Sequence, residues 1–79
     1  MEEKINLTIE GKLENTPELY YNISGKSVCL FSIDGNLIRT HEQIADYCEK
    51  YLKKGSRVRI KGFVGSKLIE AENVDFITV

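Results

Sequence analysis

Arg57, Arg59, Lys61 and Phe63 stand two residues apart in the run RVRIKGFV. In an extended strand that spacing places all four side chains on one face, because successive side chains point to opposite sides. Val58, Ile60, Gly62 and Val64 then face a core. Three cations and a ring on a β-surface suit a single nucleic-acid strand, since the cations answer phosphates and the ring stacks on a base. The basic character extends past the strand: residues 50–67 carry seven Lys or Arg and no Asp or Glu, although the chain as a whole has a net charge of −1. The overall charge does not suit a strong non-specific polyanion binder, so nucleic-acid binding would rest on this local patch.

Two further groups could add to such a surface. Tyr20 and Tyr21 fall in a connecting segment, where an exposed ring stacked on a base contributes about 1–3 kcal/mol. The bland alternative is that one packs down and the other covers a neighbour. His41, Lys53 and Lys54 are additional candidate contacts, although a helix C-terminus by itself favours lysines there. Catalysis finds no support. One histidine and scattered carboxylates assemble no Ser-His-Asp set, no phosphate-cradling loop and no metal-ligand cluster. Neither a metal nor a cofactor is expected. Cys29 and Cys48 read as small buried hydrophobes.

The elements that must position these residues follow from periodicity. Seventy-nine residues make a single domain over 1–79 with a thin stability margin, which makes a homo-oligomer (dimer or tetramer) an expected state. Ile5, Leu7, Ile9 and Leu13 mark a half-buried first strand, bent at Gly11. Residues 14–26 read as a loop. Ser27 to Ile33 reads as a second strand with Cys29, Phe31 and Ile33 inward, so that Leu30 points outward towards a subunit interface. Asp34-Gly35 is a tight hairpin turn into a short strand over Asn36 to Arg39. Thr40 and Gln43 stand at capping-box spacing. Ile44, Tyr47, Cys48, Tyr51 and Leu52 mark the inner side of a helix that Gly55 closes, with Lys50, Lys53 and Lys54 in its last turns. The basic strand comes next, then a tight turn at Gly65-Ser66 and a last strand from Lys67 to the end. No apolar run reaches membrane-spanning length and the start, MEEKIN, is unlike a secretory or transit peptide, so a reducing cytoplasm is expected. The order predicts an all-β fold with one helix: a five-stranded Greek-key barrel of the OB type, the helix between strands three and four.

Three segments give the chain a resemblance to the bacterial single-stranded DNA-binding protein family: Asn6 to Phe31, NLTIEGKLENTPELYYNISGKSVCLF; Ala45 to Gly62, ADYCEKYLKKGSRVRIKG; and Ala71 to Phe76, AENVDF. They are similar to that family's opening strands, its helix and fourth strand, and its closing strand. The sequence also departs from the family. The long hairpin between the second and third strands is cut to Asp34-Gly35, no Trp is present, and the loop before the last strand is cut to Gly65-Ser66. His41-Glu42 stands where the family often has an aromatic and a glycine, Tyr20 stands for a common Arg, and the acidic C-terminal tail is lacking.

The resemblance and the basic strand together predict non-catalytic, sequence-tolerant binding of single-stranded DNA through Arg57, Arg59, Lys61, Phe63, Tyr20 and Tyr21. RNA is a second strand chemistry that such a fold accommodates. The rival is an OB-fold interaction module that docks onto a replication, recombination or conjugation protein and touches little or no nucleic acid. No membrane partner is expected.

Overall fold

The computed structural model describes residues 5–77. The acidic start and the end of the last expected strand lie outside the described residues. The elements are β1 (Asn6–Lys12), β2 (Glu18–Tyr21), β3 (Ser27–Ile33), β4 (Asn36–His41), α1 (Glu42–Tyr51), β5 (Arg57–Val64) and β6 (Ile69–Phe76). All six strands form one open sheet in the order β1-β5-β6-β4-β3-β2. Five strands were expected, with the helix after the third; the described residues form six, and the helix follows the fourth.

The extra strand is β2, in the segment read as a loop. β1 ends at Lys12, and the buried Leu13 and Pro17 bound the connection to β2, Pro17 having no N–H to give a ladder. The next four residues pair with β3, Tyr20 opposite Val28 and Tyr21 opposite Ser27. The two sheet edges, β1 and β2, are thus joined by residues 13–17, and the Glu14 N–H reaches Ser32 O at 2.8 Å. The sheet is open, with β1 and β2 at its edges, where a closed Greek-key barrel was expected.

The β3–β4 hairpin forms as expected. Asp34 and Gly35 take φ of 50° and 79°, the two positive values that a two-residue turn of this hand requires. β4 then runs directly into α1. Thr40 is a buried β4 residue whose hydroxyl donates to Cys29 O at 3.1 Å, and the helix has no side-chain cap, so the expected capping box is absent. Glu42 makes the turn with a φ of 54°, and its carbonyl accepts from Ser27 Oγ at 3.2 Å. Helix α1 packs mainly on β3 through Ala45 and Cys48. Leu52, just past its end, is also buried, but Tyr51 is exposed, contrary to its expected inward side. The helix ends at Tyr51, so Lys53, Lys54 and Gly55 belong to the turn beyond it.

Phe31, Ile33, Ile38, Val58 and Ile60 form the centre of the core with the two cysteines. Burial pushes the Cys29 thiol up to about 11, with the Glu49 charge adding to it, and the Cys48 thiol up to about 12. Both therefore remain protonated packing groups at neutral pH. The β5–β6 hairpin is closed by residues 65–68, with the Gly65 N–H on Leu68 O at 2.7 Å, and is longer than the expected Gly65-Ser66 turn. Its register shifts by one residue where Lys61 faces Asn73 and Gly62 faces Ala71, leaving Glu72 as a bulge. The β6 backbone closes on Gly62 there: a Cβ at that position would lie 2.0 Å from Glu70 O. Val64, expected in the core, is 47% exposed, because the hairpin end projects beyond the packed layers. Among the described residues no helix is long and apolar enough to cross a membrane.

Candidate nucleic-acid interface

Directly opposed residues on neighbouring strands share a face of the sheet. The β1–β5 register is uninterrupted, pairing Lys12 with Arg57, Glu10 with Arg59, Thr8 with Lys61 and Asn6 with Phe63. Arg57, Arg59, Lys61 and Phe63 therefore do share the outer face, as alternation predicts. A row continues across all the strands: Asn6, Phe63, Glu70, Arg39, Leu30 and Glu18. The next row brings Tyr20, Val28 and His41 together. Leu30, expected outside, is half-buried in this face.

The cations on this face are not equivalent. Arg59 donates its Nε to Glu10 Oε1 at 2.6 Å, and its Nη2 also pairs with that carboxylate. Asp75 stands opposite it on β6. Arg57 and Lys61 are exposed, and no ion pair holds either among the described residues. Two of the three expected strand cations are thus available to a ligand, and the third is already answered.

The middle of the face carries a cluster that the linear pattern does not show. Glu70, its side chain only 14% exposed, pairs with the Arg39 guanidinium, and its other oxygen lies 2.8 Å from His41 Nε2. Burial alone would raise the Glu70 carboxyl, but the hydrogen bonds and charges of Arg39 and His41 outweigh it and hold the pKa below the ordinary value. The Glu70 hydrogen bond in turn raises Arg39, and the Tyr20 hydroxyl adds to that rise. Arg39 Nε is buried without a hydrogen-bond partner among the described residues.

The two tyrosines separate. Strand alternation places Tyr20, 42% exposed, on the outer face beside Arg39, and turns Tyr21, 66% exposed, to the opposite side. They lie in a strand, so they cannot act as one flexible loop pair.

Lys53 and Lys54 join neither tyrosine. With Lys12, Arg57, Ser56 and Phe76 they line an open cavity of about 600 Å³ where β1, β5 and β6 meet the turn after α1. Sequence reasoning missed Lys12 and Phe76 here, and Glu70, Arg39 and Glu10 on the face. The outward phase of Lys12 and Glu10 in the first strand was the only available signal, and it does not tell which strand lies next to it. Among the described residues no group of His, Cys, Asp or Glu could hold a metal.

No protein-family model matches the chain, and no curated protein matches it. Among solved structures, a deletion mutant of the single-stranded DNA binding protein from Thermus aquaticus superposes with a TM-score of 0.85 at 17% sequence identity, covering 95% of this chain. The chain spans 42% of that protein's length. The likeness is one of fold alone: an OB-type arrangement of strands carrying one helix.

Proposed function

We propose that this chain binds single-stranded DNA without catalysis and with tolerance of sequence, along the outer face of the sheet. The observation that carries the reading is the face itself. Arg57 and Lys61 stand on it without an acidic partner among the described residues, with Phe63 in the same strand phase and Tyr20 at the far edge. Phosphates supply the missing counter-charge and the rings supply stacking. The fold likeness to a single-stranded DNA binding protein supports the same reading. Assembly into a homo-oligomer would add avidity to a face with few contacts per subunit.

The test is titration into a labelled poly-thymidine oligonucleotide at several salt concentrations, with duplex DNA and a poly-uridine strand as controls. Three to five phosphate contacts predict that log K falls against log salt with a slope of roughly −2 to −3.5. A slope near zero, or equal affinity for duplex, overturns the proposal. The second reading, a protein-docking module, is favoured by Glu70 and Glu10, which already pair with Arg39, His41 and Arg59. It predicts no strand binding even at low salt.

A further inference from the structure

We infer that the cavity lined by Lys12, Lys53, Lys54 and Arg57 beside Phe76 takes the phosphorylated end of a nucleic-acid strand. The inference rests on the single-strand reading above and extends it from the face of the sheet to its rim.

Charge is the first observation. Lys12 and Arg57 are directly opposed in the β1–β5 ladder, an arrangement in which like charges repel. Lys53 and Lys54 come to the same cavity from the turn after α1. All four are exposed, none has an ion pair among the described residues, and no Asp or Glu lines the cavity. Lys26, Arg39 and Arg59, by contrast, are each paired to a carboxylate. In a chain with more acids than bases, a cluster of four unanswered cations leaves room for an anionic ligand.

Valence and shape narrow the ligand. An internal phosphodiester carries a single charge, whereas a terminal phosphate monoester carries about −1.5 to −2 at neutral pH and three free oxygens. Four cations around one open cavity match the terminal group better. Phe76, 46% exposed, lines the same cavity from β6, where it stands opposite Val58 and so in the other phase from Arg57, and offers a ring on which the end base can stack. The frame is already built. The Leu13 N–H bonds Ser56 O, the Gly55 N–H bonds Leu13 O, and the Ile77 N–H bonds Arg57 O, each at 2.9 Å. Ser56 Oγ accepts the Lys53 N–H at 3.0 Å, so the turn needs no ordering when a ligand arrives.

Thymidine oligonucleotides of one length, with an internal fluorophore and a 5′-phosphate, a 3′-phosphate or two hydroxyl ends, test this by anisotropy at low salt. One phosphorylated end is expected to bind about threefold to tenfold tighter than the hydroxyl-ended strand, as the extra charge facing several exposed cations predicts. Lys53→Gln with Lys54→Gln, both on an exposed turn, is expected to abolish that increment. Equal affinity for all three strands overturns the inference while leaving single-strand binding intact. An increment that survives the double variant places it elsewhere and also overturns the inference. Equal displacement of the phosphorylated strand by free thymidine monophosphate, at a concentration near the oligonucleotide's own Kd, overturns the strand-end assignment, because the cavity then takes a free nucleotide. The hydroxyl-ended strand reports on single-strand binding without the end group, so the two readings fail separately.

Discussion

Two basic regions of this protein differ in whether a carboxylate stands among them. At the middle of the outer face, Arg39 and His41 converge on Glu70, a carboxylate with little exposure. At the rim, Lys12, Lys53, Lys54 and Arg57 meet with no carboxylate among them. The middle is answered from within, and its side-chain pairs link β4 to β6. The rim is open to whatever anion approaches. A cation count along the chain does not separate the two, because the deciding carboxylate reaches Arg39 only through the parallel β4–β6 pairing, 31 residues away in sequence.

The comparison is broken most severely by removing the unanswered cations together. Lys12→Gln, Arg57→Gln and Lys61→Gln in one protein should reduce the salt slope of oligonucleotide binding by roughly 2. The same titration series measures it, and an unchanged slope would mean that the phosphates lie elsewhere.

Tyr20 sharpens the contrast between the two sides of β2. Tyr20→Ala is expected to weaken single-strand binding by about 1–3 kcal/mol, the range of one lost stack. Tyr21→Ala, on the opposite side, should leave the Kd within about twofold, since it removes no group from the outer face. Fluorescence titration of the two single variants side by side gives the answer, and equal losses would contradict the face assignment.

Glu70→Gln converts the middle into a region like the rim. It should lower folding stability at pH 7 by about 1–3 kcal/mol, as hydrogen bonds to charged groups are lost. It should also tighten strand binding, because Arg39 and His41 are released. The pH dependence has a definite sign. A folded carboxyl pKa below the ordinary one gives stability that is fully present above the ordinary carboxylate range and is lost as pH falls through the lowered folded value. Thermal denaturation between neutral and acid pH should therefore show a shallower acid limb in Glu70→Gln than in the parent.

The smallest effect is expected from Arg59→Gln. Glu10 already answers this guanidinium at an exposed site, so the Kd should move less than that of Arg57→Gln, which removes an unanswered charge from the same strand face. Parallel titrations of the two variants suffice, and a larger loss at Arg59 would show that Glu10 yields its partner to a phosphate.

Much of this arrangement is legible along the chain. The β3–β4 hairpin follows from the alternating Cys29, Phe31 and Ile33 and from Asp34-Gly35, and the outward phase of Arg57, Arg59, Lys61 and Phe63 follows from simple alternation. The misread parts share a cause. Strand β2 is four residues long and takes its structure from pairing with β3, so Glu18–Tyr21 show little periodicity of their own. Thr40 and Gln43 have capping-box spacing, but Thr40 gives its hydroxyl to Cys29 O inside the core. Val64 continues the inward phase of Val58 and Ile60, yet no layer covers it at the hairpin end.

The order of side chains along the chain determined which faces are apolar, which strand is basic and where the turns fall, because those properties have periods of two or about 3.6 residues. Tertiary structure alone decided which cations are free. Opposing Glu10 to Arg59, lodging Glu70 beneath Arg39 and His41, and gathering Lys12 with Lys53 and Lys54 all depend on strand order and register. Coulombic pairing acts over a few ångströms of space, and distance along the chain does not report it.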